Sequence, residues 1–208
     1  MLWKASILTV GGLGRLRPAP GTWGSMPPCA LVLLLGLLGT EVWVTQCALA
    51  LLVVLACFGC IMLGGWGEQH WQTKDPGVIV LDEVAGMSLG LLLVPLPAVT
   101  LAASGDGGGG GGGAAGDAMA TGWLALNGDA GFGGLIAIAA SAFILFRIFD
   151  IIKVPPANVM QQLPAGWGVL LDDLIAGLYT NVVLQVFLRL ALPLLTAAGG
   201  STAAGGLG

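Results

Sequence analysis

The sequence predicts an all-α fold, a polytopic helical bundle embedded in a membrane, and three observations carry that prediction. Apolar residues make up 56% of the 208-residue chain and charged residues only 9%, with a mean hydropathy of +0.94. A water-soluble domain carries roughly 25% charged residues, so this balance is that of a chain solvated by lipid. The apolar residues gather into runs of helical length, separated by segments rich in Gly, Pro or charge. The few charges cluster where those runs begin or end. About five spans in one domain, 1–208, are expected.

Taken in order, residues 1–28 hold GGLGRLRPAPGTWGSMPP, which Gly and Pro punctuate too heavily for continuous helix. No cleavable signal peptide is expected, because Lys4 leads into glycines and arginines rather than an apolar stretch. The first apolar run, about Cys29 to Thr40, is shorter than the ~17 residues a span needs. The second, about Val42 to Trp66, is long enough. A polar connector, GEQHWQTKDPG, leads to the third run, about Val78 to Ala103, with Pro95 and Pro97 as expected kinks. The segment 104–117, SGDGGGGGGGAAGD, reads as a flexible loop that buries nothing. The fourth run covers about Phe132 to Ile152 and stops at prolines, and the fifth covers about Val169 to Leu195. The small residues of 197–208 read as a disordered tail.

If all five runs cross, Arg15, Arg17, Lys74 and Lys153 fall on one side with the charged clusters. Asp106, Asp117 and Asp129 fall on the other with no Lys or Arg. Basic residues favour the cytoplasmic face, so the clusters are expected there. Six tryptophans (Trp23, Trp43, Trp66, Trp71, Trp123 and Trp167) lie near the expected span ends, as an interfacial belt does. Seven Lys and Arg in all argue against a nucleic-acid surface, and a net charge of −4 argues for no partner. Cys57-Phe-Gly-Cys60 has redox spacing without a βαβ context, so Cys29, Cys47, Cys57 and Cys60 read as small apolar residues.

Charge at the edge of a hydrocarbon layer is costly and marks function. Three clusters stand out: Asp82 and Glu83 in KDPGVIVLDEVAG, Arg147, Asp150 and Lys153 in FRIFDIIKVPP, and Asp172 and Asp173 in LPAGWGVLLDDLIAG. Asp82, Gly86 and Gly90 share one helix face, as do Asp173, Gly177, Asn181 and Gln185, with small residues that admit a close neighbour. Structural readings compete for each cluster: an N-cap at Asp172 or Asp173, an i,i+3 ion pair between Arg147 and Asp150. His70 and Glu68 read as interfacial polar residues. Pro18 to Ser25, carrying Thr22 and Ser25, is either a plain turn or a phosphate nest beside Arg15 and Arg17.

Oxygen donors without Cys or His suit a hard divalent cation, Mg²⁺ before Zn²⁺, and neighbouring Arg and Lys suit a phosphate. At a membrane edge that combination points to a phospholipid headgroup. No Cys is followed six residues later by Arg, His70 is the sole histidine, and Asp-x-Asp does not occur. These absences argue against cysteine, phosphohistidine and aspartyl-phosphate chemistry and against CDP-alcohol transferases, leaving water as the expected nucleophile. An ion-coupled transporter would place its acids near the bilayer midplane, whereas these lie at segment ends. A phosphatase for some other lipid monophosphate is a further alternative.

At these residues the chain resembles the phosphatidylglycerophosphatase A family. GLGRLRPAPGTWGS (12–25), KDPGVIVLDEVAG (74–86), FRIFDIIKVPP (146–156) and LPAGWGVLLDDLIAG (163–177) occur in the family's order with apolar spans between. The resemblance implies a Mg²⁺-dependent enzyme of the bacterial cytoplasmic (inner) membrane, multi-pass, its active site facing the cytoplasm. The implied reaction removes the terminal phosphate of phosphatidylglycerophosphate. By position, Asp82, Glu83, Asp150, Asp172 and Asp173 look like the family's acidic residues, and Arg147 and Lys153 its basic ones. Val154 and Ala165 depart from the family's usual Pro and Gly, and the Gly-rich insert is not a family feature. The working assignment gives Mg²⁺ to Asp82, Glu83, Asp172 and Asp173. Catalysis falls to Asp150, Asp172, Asp173 and Glu83, and the substrate phosphate to Arg15, Arg147, Lys153, Thr22 and Ser25. The lipid substrate and the bilayer are the expected partners.

Overall fold

The computed structural model describes residues 2–74, 76–97, 130–155 and 167–192, and every element within them is helical. The short α1 (Leu2–Leu8) was not expected from the sequence. It closes at Thr9, whose hydroxyl donates to the Ala5 carbonyl at 2.8 Å, and the chain turns at Gly11 and Gly12 with φ of 68° and 99°. Glycine takes that left-handed backbone without steric cost. A 3₁₀ turn at Leu13–Arg15 then leads to α2 (Pro20–Leu37).

In place of the plain turn expected at Pro18 to Ser25, Pro20 opens α2, and Gly21 to Ser25 form its first turns. Proline suits this position because its missing N–H would have no intrahelical partner. The first apolar run is correspondingly the second half of an 18-residue helix that carries Pro27 and Pro28 inside it. After Gly39 and Thr40, α3 (Val42–Trp71) runs for 30 residues, longer than the sequence pattern indicated, and ends on Gln72 in a left-handed cap.

The third run differs most from expectation. Its helix, α4 (Leu81–Leu91), has 11 residues and stops well short of Pro95 and Pro97, which lie in the irregular chain after it rather than at kinks within it. At 1.5 Å per residue α4 is only ~16 Å long, about half a hydrocarbon layer. The fourth and fifth runs form α5 (Ala130–Ile152) and α6 (Trp167–Val186), the latter continuing through a π-helical turn at Phe187–Ala191. Asp172 and Asp173 lie inside α6 rather than at an N-cap. Asp75, residues 98–103, the Gly-rich segment 104–117, residues 163–166 and the tail 197–208 lie outside the described residues.

Three helices are long and apolar enough to cross a membrane, Val42–Trp71, Gly131–Ile152 and Trp167–Ala191. The molecule is correspondingly apolar on the outside: Leu51, Val54, Leu55, Phe58 and Met62 on α3 are exposed. Such a surface needs lipid around it. The centre is α4, with eight of its residues buried, packed against α2, α3, α5 and α6. Its contact with α6 is a small-residue crossing. A Cβ on Gly86 would collide with the Asp173 carbonyl, and a Cβ on Gly177 with the Gly86 carbonyl. Without side chains at these points the two backbones approach closely, and the face shared by Asp82, Gly86 and Gly90 meets the one shared by Asp173, Gly177 and Asn181.

Candidate functional site

The helices alternate in direction, so the starts of α2, α4 and α6 meet the ends of α3 and α5 at one end of the bundle. The three charged clusters of the sequence arrive there on three different helices. Asp82 and Glu83 occupy the first turn of α4, where the helix dipole favours negative charge. Arg147 and Asp150 lie on the last turns of α5, and Asp172 and Asp173 on the second turn of α6.

Arg147 links the helices. Its Nη1 lies 2.9 Å from Asp150 Oδ2 on its own helix and 3.6 Å from Glu83 Oε1 on α4. Lys153 makes the second link, its Nζ 2.6 Å from Asp172 Oδ2. Lys153 stands one residue past the end of α5 with φ of 53°, a left-handed backbone rare for a side chain of this kind. Its N–H still donates to the Phe149 carbonyl at 2.9 Å, so the chain turns off the helix there and the ammonium reaches across to α6. Partial burial works against its charge, but the hydrogen bond and charge of Asp172, with Asp150 and Asp173 behind it, more than compensate. The Lys153 ammonium therefore titrates above the usual lysine value and is charged at neutral pH.

Asp82, Asp172 and Asp173 are only 3%, 3% and 5% exposed. Asp173 interacts electrostatically with Asp82, Asp150, Glu83 and Asp172, and among the described residues it forms no ion pair itself. Five carboxylates therefore stand against two cations in a largely buried place. Buried charge of one sign is costly unless a cation joins it. The donor set, all oxygen, fits a hard divalent ion. Among the described residues no three His, Cys, Asp or Glu side chains are already gathered into a coordinating group.

The first motif supplies the wall of the site. A Cβ on Gly21 would strike Glu83 and come within 3.1 Å of the Arg147 guanidinium, and one on Gly24 would strike Glu83 and Val80. These two glycines were missed by the sequence reading; their signal was the three-residue spacing in GTWG, which places both on one face of a helix. Ser25 is fully buried and donates its hydroxyl to the Gly21 carbonyl at 2.9 Å, so that proton is committed within α2. Thr22 is half-buried on the first turn of α2, and Arg15 is exposed on the 3₁₀ turn before it. The structure thus links Glu83 and Asp150 through Arg147, pairs Lys153 with Asp172, and buries Asp82 and Asp173 beside them, while Arg15 and Thr22 lie on the 3₁₀ turn and the first turn of α2. Cys29, Cys47, Cys57 and Cys60 are free thiols; Cys60 is buried and Cys47 exposed. His70 stacks on Trp66 with ring centroids 4.6 Å apart.

The family model for phosphatidylglycerophosphatase A matches residues 6–188. A phosphatidylglycerophosphatase A of Haemophilus influenzae is 31% identical over 180 residues, covering 85% of this chain and 84% of the relative. A Bacteroides thetaiotaomicron protein, named as a candidate phosphatidylinositol-3-phosphatase, is 30% identical over 178 residues, covering 84% and 87% respectively. No solved structure matches the chain.

Proposed function

Because the chain belongs to the phosphatidylglycerophosphatase A family, and is therefore a phosphatase, we propose that its substrate is phosphatidylglycerophosphate. Hydrolysis of the terminal phosphomonoester leaves phosphatidylglycerol and inorganic phosphate. The observation that carries this reading is the acidic cluster crossed by Arg147 and Lys153 at one end of an apolar bundle. A lipid held in the bilayer presents its phosphate at that level.

Arg147 and Lys153 bind the phosphate oxygens, the guanidinium by its fork and the ammonium as a point charge. Arg15 and Thr22 meet the phosphate as it approaches. Ser25 keeps its hydroxyl for Gly21 and acts on the helix rather than on the substrate. Asp150, tied to Arg147, orients the guanidinium, and Lys153 holds Asp172 in the same way. An ion-paired carboxylate is a weaker base, so Asp173, which makes no ion pair among the described residues, takes the proton of the attacking water and passes it to the glycerol oxygen as the P–O bond breaks. Oxygens of Asp82, Glu83 and Asp172 would hold Mg²⁺, with Asp173 beside them as the base. Bound there, the ion supplies neutralisation of phosphate charge and acidifies water.

In this reading α2 and the apolar chain from Leu81 onward raise the number of crossings to about five. The charged end then faces the cytoplasm of a bacterial inner membrane, in accord with Arg15, Arg17, Lys74 and Lys153. The name of the Bacteroides relative favours a second substrate, a phosphoinositide monophosphate.

Purified protein in detergent should release phosphate from phosphatidylglycerophosphate with Mg²⁺ present and stop when a chelator is added. Asp173→Asn should lower kcat by 100-fold or more, on the order of a lost general base. Faster release from phosphatidylinositol 3-phosphate would transfer the assignment to the second substrate. Release that the chelator leaves unchanged would remove Mg²⁺ from the mechanism.

A further inference from the structure

The polar stripe on α6 continues far past the catalytic end. Asn181, Gln185 and Arg189 follow Asp173 and Gly177 toward the opposite end of the bundle. All three engage the broken end of α4 or support a residue that does. The Asn181 amide donates to the Leu89 carbonyl at 3.1 Å, to the Gly90 carbonyl at 3.3 Å and to the Leu92 carbonyl. Gln185 donates to Asn181 Oδ1 at 2.8 Å and fixes that amide's orientation. Arg189, placed by the π-helical turn, donates to the Leu93 carbonyl at 3.3 Å. From the other side Gln46 on α3 receives the Leu93 N–H at 2.7 Å and donates to the Val94 carbonyl at 3.2 Å.

An 11-residue helix that stops inside an apolar bundle leaves its last carbonyls without intrahelical donors. Lipid offers no donors to replace them, so protein side chains must. Leu93 takes φ of 59° in the middle of this clamp, a backbone the surroundings have to hold. The donors also complement the negative end of the α4 dipole, while its positive end carries Asp82 and Glu83. A rigid helix held at its far end is held at its near end too, because an axial slip moves both alike.

We propose that Asn181, oriented by Gln185 and assisted by Gln46, is a positioning residue for the phosphatase reaction: by capping α4 it sets the depth at which Asp82 and Glu83 meet Arg147, Asp172 and Asp173. It touches no substrate. Its effect runs through the helix register, and the kinetic readout rests on the phosphatase reading above.

The test compares wild type, Asn181→Leu, Asn181→Gln and Gln46→Leu, with phosphate release measured as kcat and KM and folded protein quantified by gel filtration and thermal unfolding. Leu matches Asn in size and removes the donors. An axial misplacement near 1 Å lowers turnover by about 100-fold, so Asn181→Leu should lose kcat on that scale with KM little changed. Asn181→Gln should recover most of the turnover, and Gln46→Leu should fall between. Wild-type kcat in folded Asn181→Leu, a change in KM alone, or equal losses for Leu and Gln at matched stability would each overturn the proposal. If Asn181→Leu fails to fold, Asn181→Gln and Gln46→Leu decide: a folded Gln46→Leu with wild-type kcat overturns it. An inactive wild type on every lipid monophosphate would instead count against the phosphatase reading, and amide hydrogen exchange at Leu92 to Val94 would then decide the clamp, wild-type protection in Asn181→Leu overturning it.

Discussion

Arg147 sits where three parts of the site meet: its own helix through Asp150, α4 through Glu83, and the glycine wall of α2 through Gly21. A planar guanidinium can serve two carboxylates and still present N–H groups to a phosphate, which a lysine ammonium cannot do with the same geometry. Arg147→Lys is therefore expected to keep the charge, keep the fold and lose about 100-fold or more in kcat, the scale of one removed transition-state donor. Retention of turnover within a few-fold of wild type, measured on lipid phosphate, would relocate phosphate binding to Lys153. That residue is specialised differently. Its left-handed backbone turns the side chain away from α5 toward Asp172, so the pair depends on a turn as much as on charge.

At the scale of elements, the decisive feature is how near α4 and α6 come to each other. Gly86 and Gly177 meet backbone to backbone, and no heavier residue leaves the Asp173 carbonyl where it is. This crossing brings Asp82 on one helix beside Asp173 on the other. Gly177→Ala is expected to push the helices apart, lowering stability by ~1–3 kcal/mol through overpacking. Unfolding temperature in detergent measures that, and activity should fall in parallel because the acidic cluster opens. An alanine variant with unchanged unfolding and turnover would mean the crossing tolerates a wider spacing. α2 has a comparable duty at its start, where Gly21 and Gly24 leave space for Glu83.

For the whole molecule, the question is which way the charged end points. Lys74 is exposed just after α3, beside the small cavity lined by Glu68 and Asp82. Basic residues are retained on the cytoplasmic side, so the site end should face inward. With Cys29, Cys47, Cys57 and Cys60 replaced, Lys74→Cys in intact cells should resist a membrane-impermeant maleimide and react once the membrane is opened. Labelling of intact cells would reverse the orientation. The outward-facing apolar residues on α3, α5 and α6 fix only that lipid surrounds the bundle. They are symmetrical with respect to its two faces, and charge alone breaks that symmetry.

The sequence by itself determined the environment, the helical class and the membership of the charged set. Each follows from a local property: composition selects lipid as solvent, run length selects helices, and charge at a run's end survives only with a role. It also showed the faces along which Asp82, Gly86 and Gly90, and Asp173, Gly177 and Asn181, are aligned, because helical periodicity is a property of spacing. Tertiary structure alone decided how those faces are used. That α4 breaks at Leu91 rather than running on past Pro95 is not written in the apolar run, which stays equally hydrophobic through Val94. The break is stable because Asn181, Gln46 and Arg189, remote in the chain, satisfy the freed backbone groups. The pairing of Lys153 with Asp172, rather than with Asp150 one helical turn back, depends on a single left-handed residue and the position of a neighbouring helix. Hydrogen bonds and ion pairs between segments are long-range partnerships, and a chain read in order shows which groups need partners but not which ones they find.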